Sequence, residues 1–281
     1  MIKLLSSGFC RVLRSKLFWL INIFCAGYGI LMRINIIRQE TYFGTEMPLD
    51  MAFFAIAVFI GIAIAVFASI FVGTDYSDGT IRNKIAAGHK RSVIYLSNLI
   101  LVSVAGVVFL FFYCFASFIT GLTLNRWFSE QAVNLLGISF ICILMIIAYS
   151  AIFVFTAMLS QNRANSAVIC LLASFLLLFA SMMVSQKLTA PEYYDNYIFD
   201  TNGNILGFGD PIPNPDYPRG AERELLIIAN DALPSGQSLQ ISQMYSDALL
   251  EFDYKLPLYS LAIIVVFTAS GILTFRKKDL K

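Results

Sequence analysis

From Ala52 to Val72 the chain runs without a single Asp, Glu, Lys, Arg or His, and Val93–Leu122, Val133–Leu159, Ser166–Ser185 and Leu256–Phe275 do the same. Each run matches the roughly 20 mostly apolar residues that a helix needs to cross a bilayer. A further candidate, Leu17–Met32, is shorter and contains Asn22, but Trp19 and Tyr28 suit its two interfaces. It can continue through Ile34 and Ile37 if Arg33 snorkels to the surface. Composition points the same way. Hydrophobic residues make up 58% of the chain and charged residues 14%, against about 25% charged in an average soluble domain. Mean hydropathy is +0.73. In water such a chain would expose large apolar patches. The expected fold is all-α and integral to the membrane, with six transmembrane helices.

The basic residues ahead of Leu17–Met32 permit a cleaved signal peptide, but Ala-x-Ala spacing is missing after the run and Met32 and Arg33 follow directly. A retained first helix is expected. With the N-terminus inside, six spans return the C-terminus inside. Inner segments then carry Lys3, Arg11, Arg14 and Lys16, then Arg82, Lys84, Lys90 and Arg91, then Arg163, and finally Arg276, Lys277, Lys278 and Lys281. These are 13 of the 20 Lys and Arg residues, which the positive-inside rule favours. Arg33 and Arg38, on the first outer connection, count against it. The implied location is the cell inner (cytoplasmic) membrane, with both termini cytoplasmic.

Ahead of the first span, Ile2, Leu5, Phe9, Val12 and Leu13 recur at helical spacing, with Lys3, Arg11 and Arg14 largely on other faces. This predicts an amphipathic helix lying on the inner membrane surface. Residues 186–254 form the one sizeable polar stretch, expected as a small extracellular segment between spans five and six. It holds six of the eight prolines, and 11 acidic residues against Lys187, Arg219 and Arg223. Pro191–Gly220 reads as turns, and Ala221–Leu233 and Leu239–Phe252 as helices packed on the membrane domain or a partner. Three regions follow: a membrane domain over 1–185, the outer segment over 186–254, and the sixth span with its basic tail over 255–281.

Little points to catalysis. Cys10, Cys25, Cys114, Cys142 and Cys170 show no metal-ligand spacing, and four of them sit in apolar runs, which excludes a disulfide framework. His89 is the only histidine, too few for an HExxH site. No phosphate-loop motif occurs, so any ATP chemistry belongs to another polypeptide. The five charge-free runs lack the intramembrane carboxylates of ion-coupled transporters. Phe59, Phe67, Phe109, Phe111, Phe112, Tyr113, Tyr149, Phe153 and Phe155 are candidates to line an apolar path or simply to pack. Ala57, Gly61 and Ala65 recur at four-residue spacing, which permits close helix packing within the subunit or across a dimer seam.

The informative connection is the one between the second and third spans. Thr74 or Ser77 can cap a helix start, with Asp75 and Asp78 near its positive end. Ile81 and Ile85 share a face, and Gly88 is a natural stop before His89, Lys90 and Arg91. The pattern predicts a short helix at the inner surface over 74–88. Asp75-Tyr76-Ser77-Asp78-Gly79-Thr80-Ile81-Arg82-Asn83 resembles the signature of the ABC type-2 permease family, usually Glu-Tyr/Phe-x-x-Gly-Thr. Asp75 stands where that family usually has Glu. The motif-level similarity covers roughly 71–99, and span count, N-terminal helix and the loop before the last span extend it over most of the chain.

The resemblance implies a non-catalytic transmembrane subunit that docks a cytoplasmic ABC ATPase through the loop helix. Asp75, Tyr76, Gly79, Thr80, Ile81, Arg82 and Ile85 would carry the docking: Asp75 and Arg82 as anchors, Gly79 at a bend or close approach, Ile81 and Ile85 in an apolar groove. ATP and Mg would reside on the ATPase, with no cofactor or metal in this chain. The other partners implied are a second permease copy or paralogue and membrane lipid, with no nucleic acid. Export of a peptide or amphipathic compound is the expected function. The alternative is a membrane sensor or scaffold that docks an effector without transport.

Overall fold

Ser15, with extended backbone (φ −73°, ψ 120°), breaks the N-terminal region into two helices. In the computed structural model, residues 1–44, 46–129, 132–160, 162–199, 205–243 and 255–278 are described. Helix α1 covers Ile2–Arg14 and α2 covers Lys16–Phe43, the latter ending on Gly44 in the left-handed conformation (φ 68°). Next come α3 (Ala57–Ser77), α4 (Thr80–Ala86), α5 (Arg91–Thr123), α6 (Ala132–Ser160) and α7 (Arg163–Thr189). Two short antiparallel pairs then join β1 (Tyr193–Tyr194) to β4 (Ile212–Pro213) and β2 (Tyr197–Phe199) to β3 (Ile205–Phe208). Helices α8 (Ala221–Ala232), α9 (Pro234–Gln243) and α10 (Lys255–Lys277) complete the described order.

Among the described residues six helices are long and apolar enough to cross a membrane: α2, α3, α5, α6, α7 and α10. The chain is a multi-pass, predominantly helical membrane protein. Most of α3 and α6 is enclosed, with 61% of each apolar window buried, whereas α7 (17%) and α10 (22%) lie at the periphery. Lipid tails are as apolar as leucine, so close contact rather than water exclusion decides which helices pair. Gly61 supplies such a contact: a Cβ there would lie 2.7 Å from the Tyr149 ring of α6. Ala57, Gly61 and Ala65 are all buried, so this small-residue stripe packs inside the subunit. The aromatic candidates divide. Phe67, Phe109, Tyr113, Tyr149 and Phe153 are in the core, while Phe59 and Phe111 face outward, so they do not line one path.

Three boundaries differ from the sequence expectation. Helix α3 starts at Ala57 rather than Ala52, because Ala52 adopts a positive φ of 59° that a helix cannot contain. Its carbonyl instead accepts a 2.6 Å bond from the Tyr113 hydroxyl. Helix α2 runs past Arg33, which lies within the helix rather than in the loop after it. Its guanidinium is buried and donates to the carbonyls of Pro48 (3.1 Å) and Met47 (3.4 Å). The region expected as turns contains the β pairs. The second helix of this segment begins at Pro234, which suits a first helical position; residues 244–252 of the expected helix lie outside the described ones.

Helix α9 packs on the membrane domain, as expected for this segment. It is enclosed by α3, α6, α7 and α8, with Ser235, Gln237 and Ser238 fully buried. Polar groups at such depth must find partners in protein, and these do. Ser235 donates to the Leu177 carbonyl (2.9 Å) and lies 2.6 Å from the Ser181 hydroxyl. The Gln237 amide donates to the carbonyls of Asp231 (2.8 Å) and Leu256 (3.2 Å), and its oxygen accepts from Ser260 (2.7 Å).

Candidate coupling site

The end of α3 and the short α4 form the site. Thr74 donates to the Ile70 carbonyl (2.5 Å) and Ser77 to the Gly73 carbonyl (3.2 Å). Both hydroxyls turn back into their own helix instead of capping a new one. That is why α3 continues through Ser77 and the loop helix is Thr80–Ala86, shorter than the expected 74–88. The break falls at Gly79, whose φ of 67° is open to glycine at little cost. Nothing lies within 4 Å of where its Cβ would be, so the bend rather than a close approach selects glycine. At the other end, Gly88 (φ 84°) donates to the Ile85 carbonyl (2.9 Å) and His89 to that of Lys84 (3.2 Å). These two bonds close α4 as a Schellman motif.

Asp75 is 0% exposed. Arg11 of α1 forks onto its carboxylate, Nη1 on Oδ1 and Nη2 on Oδ2 at 3.1 Å. Lys84 of α4 reaches Oδ2 at 2.9 Å, and Thr80 Oγ1 lies 2.6 Å from Oδ1. The Arg11 guanidinium also sits 3.8 Å from the centroid of the Phe71 ring. One buried carboxylate thus ties three helices together. Such a cluster adds little net stability, because desolvation offsets the attraction, but removing one partner is costly. Burial pulls the Arg11 guanidinium down to about 10, with Asp78 opposing. Burial likewise brings the Lys84 ammonium down to about 8, and Arg11 adds like-charge repulsion.

The seven residues expected to meet a partner fall into two groups. Asp75, Tyr76, Thr80 and Ile81 turn inward: Ile81 is 1% exposed in the core, and the Tyr76 hydroxyl donates to the Met158 carbonyl of α6 (2.8 Å). Ile85 is half-buried against that core. Gly79 makes the bend. Arg82 is exposed, together with Asn83 and Ala86 on α4 and Ala87 just after it. In this conformation Asp75 spends its carboxylate on Arg11, Thr80 and Lys84, and Ile81 packs into the chain's own core.

The same end of the molecule gathers helix termini. Arg91 donates to the carbonyls of Phe275 (3.1 Å), Arg276 (3.1 Å) and Lys278. Lys278 donates to those of Met158 (3.2 Å) and Leu159. These cations cap the negative ends of α10 and α6, and burial lowers the pKa of Lys278. Gly73 of α3 lies so close to α7 that a Cβ would be 2.9 Å from Arg163 Cα. The opposite end has its own lock. Arg126 bonds Glu40 (3.0 Å) and Glu46 (3.0 Å), bonds that raise its pKa, and Asp50 accepts from Ser129 N (2.7 Å) and Oγ (2.5 Å).

No family model matches the chain. A search of curated proteins likewise gives no significant match. Sequence reasoning had Arg11 as one of the charges of a surface helix and Lys84 as a loop charge. Its one available signal was a carboxylate, Asp75, in the helical register of α3's apolar face; its partners were not visible. Among the described residues no group of three or more His, Cys, Asp and Glu is placed to hold a metal.

Proposed function

We propose that this chain is the membrane subunit of an ATP-binding-cassette exporter, driven by a separate cytoplasmic ATPase and moving a peptide or amphipathic compound outward. The observation that carries the reading is α4. It is a short helix between the second and third spans, seated by Ile81, with Arg82 and Asn83 free at the surface and its root pinned through Asp75 to α1. A partner that grips Arg82 and shifts α4 must also shift α3 and α1, because Lys84 and Thr80 share a carboxylate with Arg11. That is the physical form of coupling: binding energy spent at one surface biases two packings of the spans. The absence of Asp, Glu, Lys, Arg and His from the five apolar runs fits energy entering from outside the membrane rather than by ion flow.

Purification from the native host in mild detergent tests this. A stoichiometric ATPase subunit is expected with the wild-type chain, and Arg82→Ala is expected to reduce its recovery about thirtyfold, since a buried charged contact at an interface is worth about 2 kcal/mol or more. Because Arg82 is exposed in the isolated chain, the variant should insert and fold normally. A well-folded chain that brings no ATPase would overturn the exporter reading in favour of a sensor or scaffold.

A further inference from the structure

At the corner where α1 meets α2, a cavity of about 230 Å³ opens against α3. Its polar rim carries Arg11, Arg14, Ser15 and Thr74, and its apolar floor carries Leu17, Phe67, Ile70 and Phe71. The two parts differ sharply in chemistry. Arg14 and Lys16 are exposed, and no carboxylate pairs with either among the described residues. Asp75, the nearest buried acid, is already shared between Arg11 and Lys84. Ser15 caps the first turn of α2 by accepting from Phe18 N (3.4 Å); the positive end of α2 meets the negative end of α1 here, so the two dipole ends offset each other and the rim's charge comes from its side chains. Beneath it the walls are aromatic and aliphatic.

We infer that this cavity binds an anionic phospholipid, its phosphate held at the rim by Arg14, with the exposed Lys16 next to Ser15 in the chain adding charge outside the lining, and one acyl chain lying along Leu17, Phe67 and Ile70. A free phosphate would match the rim but leave the apolar floor unfilled, and a zwitterionic lipid would match the floor but forfeit the net charge. Basic residues beside a membrane-crossing helix attract anionic headgroups for the same reason, and arginine forks onto phosphate with two parallel bonds. The neighbouring surface suits the bilayer boundary: Leu13, Trp19 and Leu20 are exposed beside the cations. A lipid here would brace α1 against α3 directly above the Asp75 cluster. The inference rests on the membrane-crossing helices and not on the transport reading, so it stands or falls separately from it.

Native mass spectrometry of the full chain tests it, with protein released from micelles containing equal amounts of phosphatidylglycerol and phosphatidylcholine plus excess inorganic phosphate. The bound species then reports its own mass. One phosphatidylglycerol per chain is expected, at least fivefold over phosphatidylcholine. Arg14→Gln with Lys16→Gln, both at exposed positions, should reduce that preference to near unity. Ile70→Trp keeps the charges and fills the floor, and should abolish the tight adduct too. Three results would overturn the inference: equal retention of the two lipids, phosphate adducts in place of lipid, or a phosphatidylglycerol preference that survives Ile70→Trp and so reflects surface charge alone.

Discussion

Asp75 carries three side-chain partners on one buried carboxylate. Its carboxylate reaches Arg11, Thr80 and Lys84 at once while remaining 0% exposed. Asp75→Asn keeps the shape and removes the charge, leaving two cations facing each other across an amide. The loss expected is about 2–3 kcal/mol, below the 3–5 typical of a fully buried pair because Arg11 is partly solvated. Lys84→Met should recover part of that loss in the Asp75→Asn background, since it removes the repulsion. Equilibrium unfolding in detergent measures the cycle, and losses that simply add would show that Asp75 and Lys84 do not interact. At this scale the sequence is half legible. The Asp-Tyr-x-x-Gly-Thr string marks the place, and Gly79 and Gly88 mark the ends of α4 by the backbone they permit. What it conceals is direction: Arg11 is 64 residues from Asp75, and nothing local says that Asp75 and Ile81 turn inward while Arg82 turns out.

Elements are legible to the extent that lipid imposes them. All six spans appear as apolar runs because each must cross the same hydrocarbon thickness. Their ends do not, because a positive φ at Ala52 or a back-bonded hydroxyl at Ser77 leaves hydropathy unchanged. Least legible is α9. Its sequence, PSGQSLQISQ, has the composition of a surface segment, yet it is enclosed by spans, and only the carbonyls and hydroxyls aimed at it explain why it is tolerated there. Gln237 is its central tie, bonded to Asp231, Leu256 and Ser260. Gln237→Leu would orphan the Ser260 hydroxyl and two carbonyls, at about 1–3 kcal/mol for such loss of buried partners, and should loosen α9 before the bundle itself. In a Cys10→Ser background, Ser238→Cys reports the change. Maleimide labelling is expected to be slow with Gln237 present and at least tenfold faster in Gln237→Leu. Equal rates would mean that packing, not this amide, holds α9 in place. If α9 does release, the bundle gains an opening between α3, α6 and α7, which is the kind of two-state element an exporter needs.

For the molecule as a whole, sidedness ties the separate features together. The end of α1, all of α4, the start of α5 and the ends of α6 and α10 converge, because Arg11 reaches Asp75, Arg91 caps α10 and Lys278 caps α6. Arg33, which as a loop charge would oppose an inside N-terminus, is withdrawn from that tally: it is buried and spent on the carbonyls of 47 and 48. On the remaining bias, the positive-inside rule leads us to expect the converged end in the cytoplasm. The chain carries its own probe. Cys10, on α1, is exposed, whereas Cys25, Cys142 and Cys170 are buried and Cys114 is half-buried. A membrane-impermeant maleimide applied to intact right-side-out cells should leave Cys10 unlabelled, and permeabilisation should raise labelling at least tenfold. Tyr193→Cys, at an exposed position beyond α7, should label from outside without permeabilisation in a Cys10→Ser background. The two sites are joined by five of the six spans, an odd number, so they must report opposite sides. If both labelled from outside, the count of spans between them would be wrong. If Cys10 labelled from outside and position 193 only from within, the count would hold but Arg82 would face away from any cytoplasmic ATPase, and the exporter reading would fail on geometry alone.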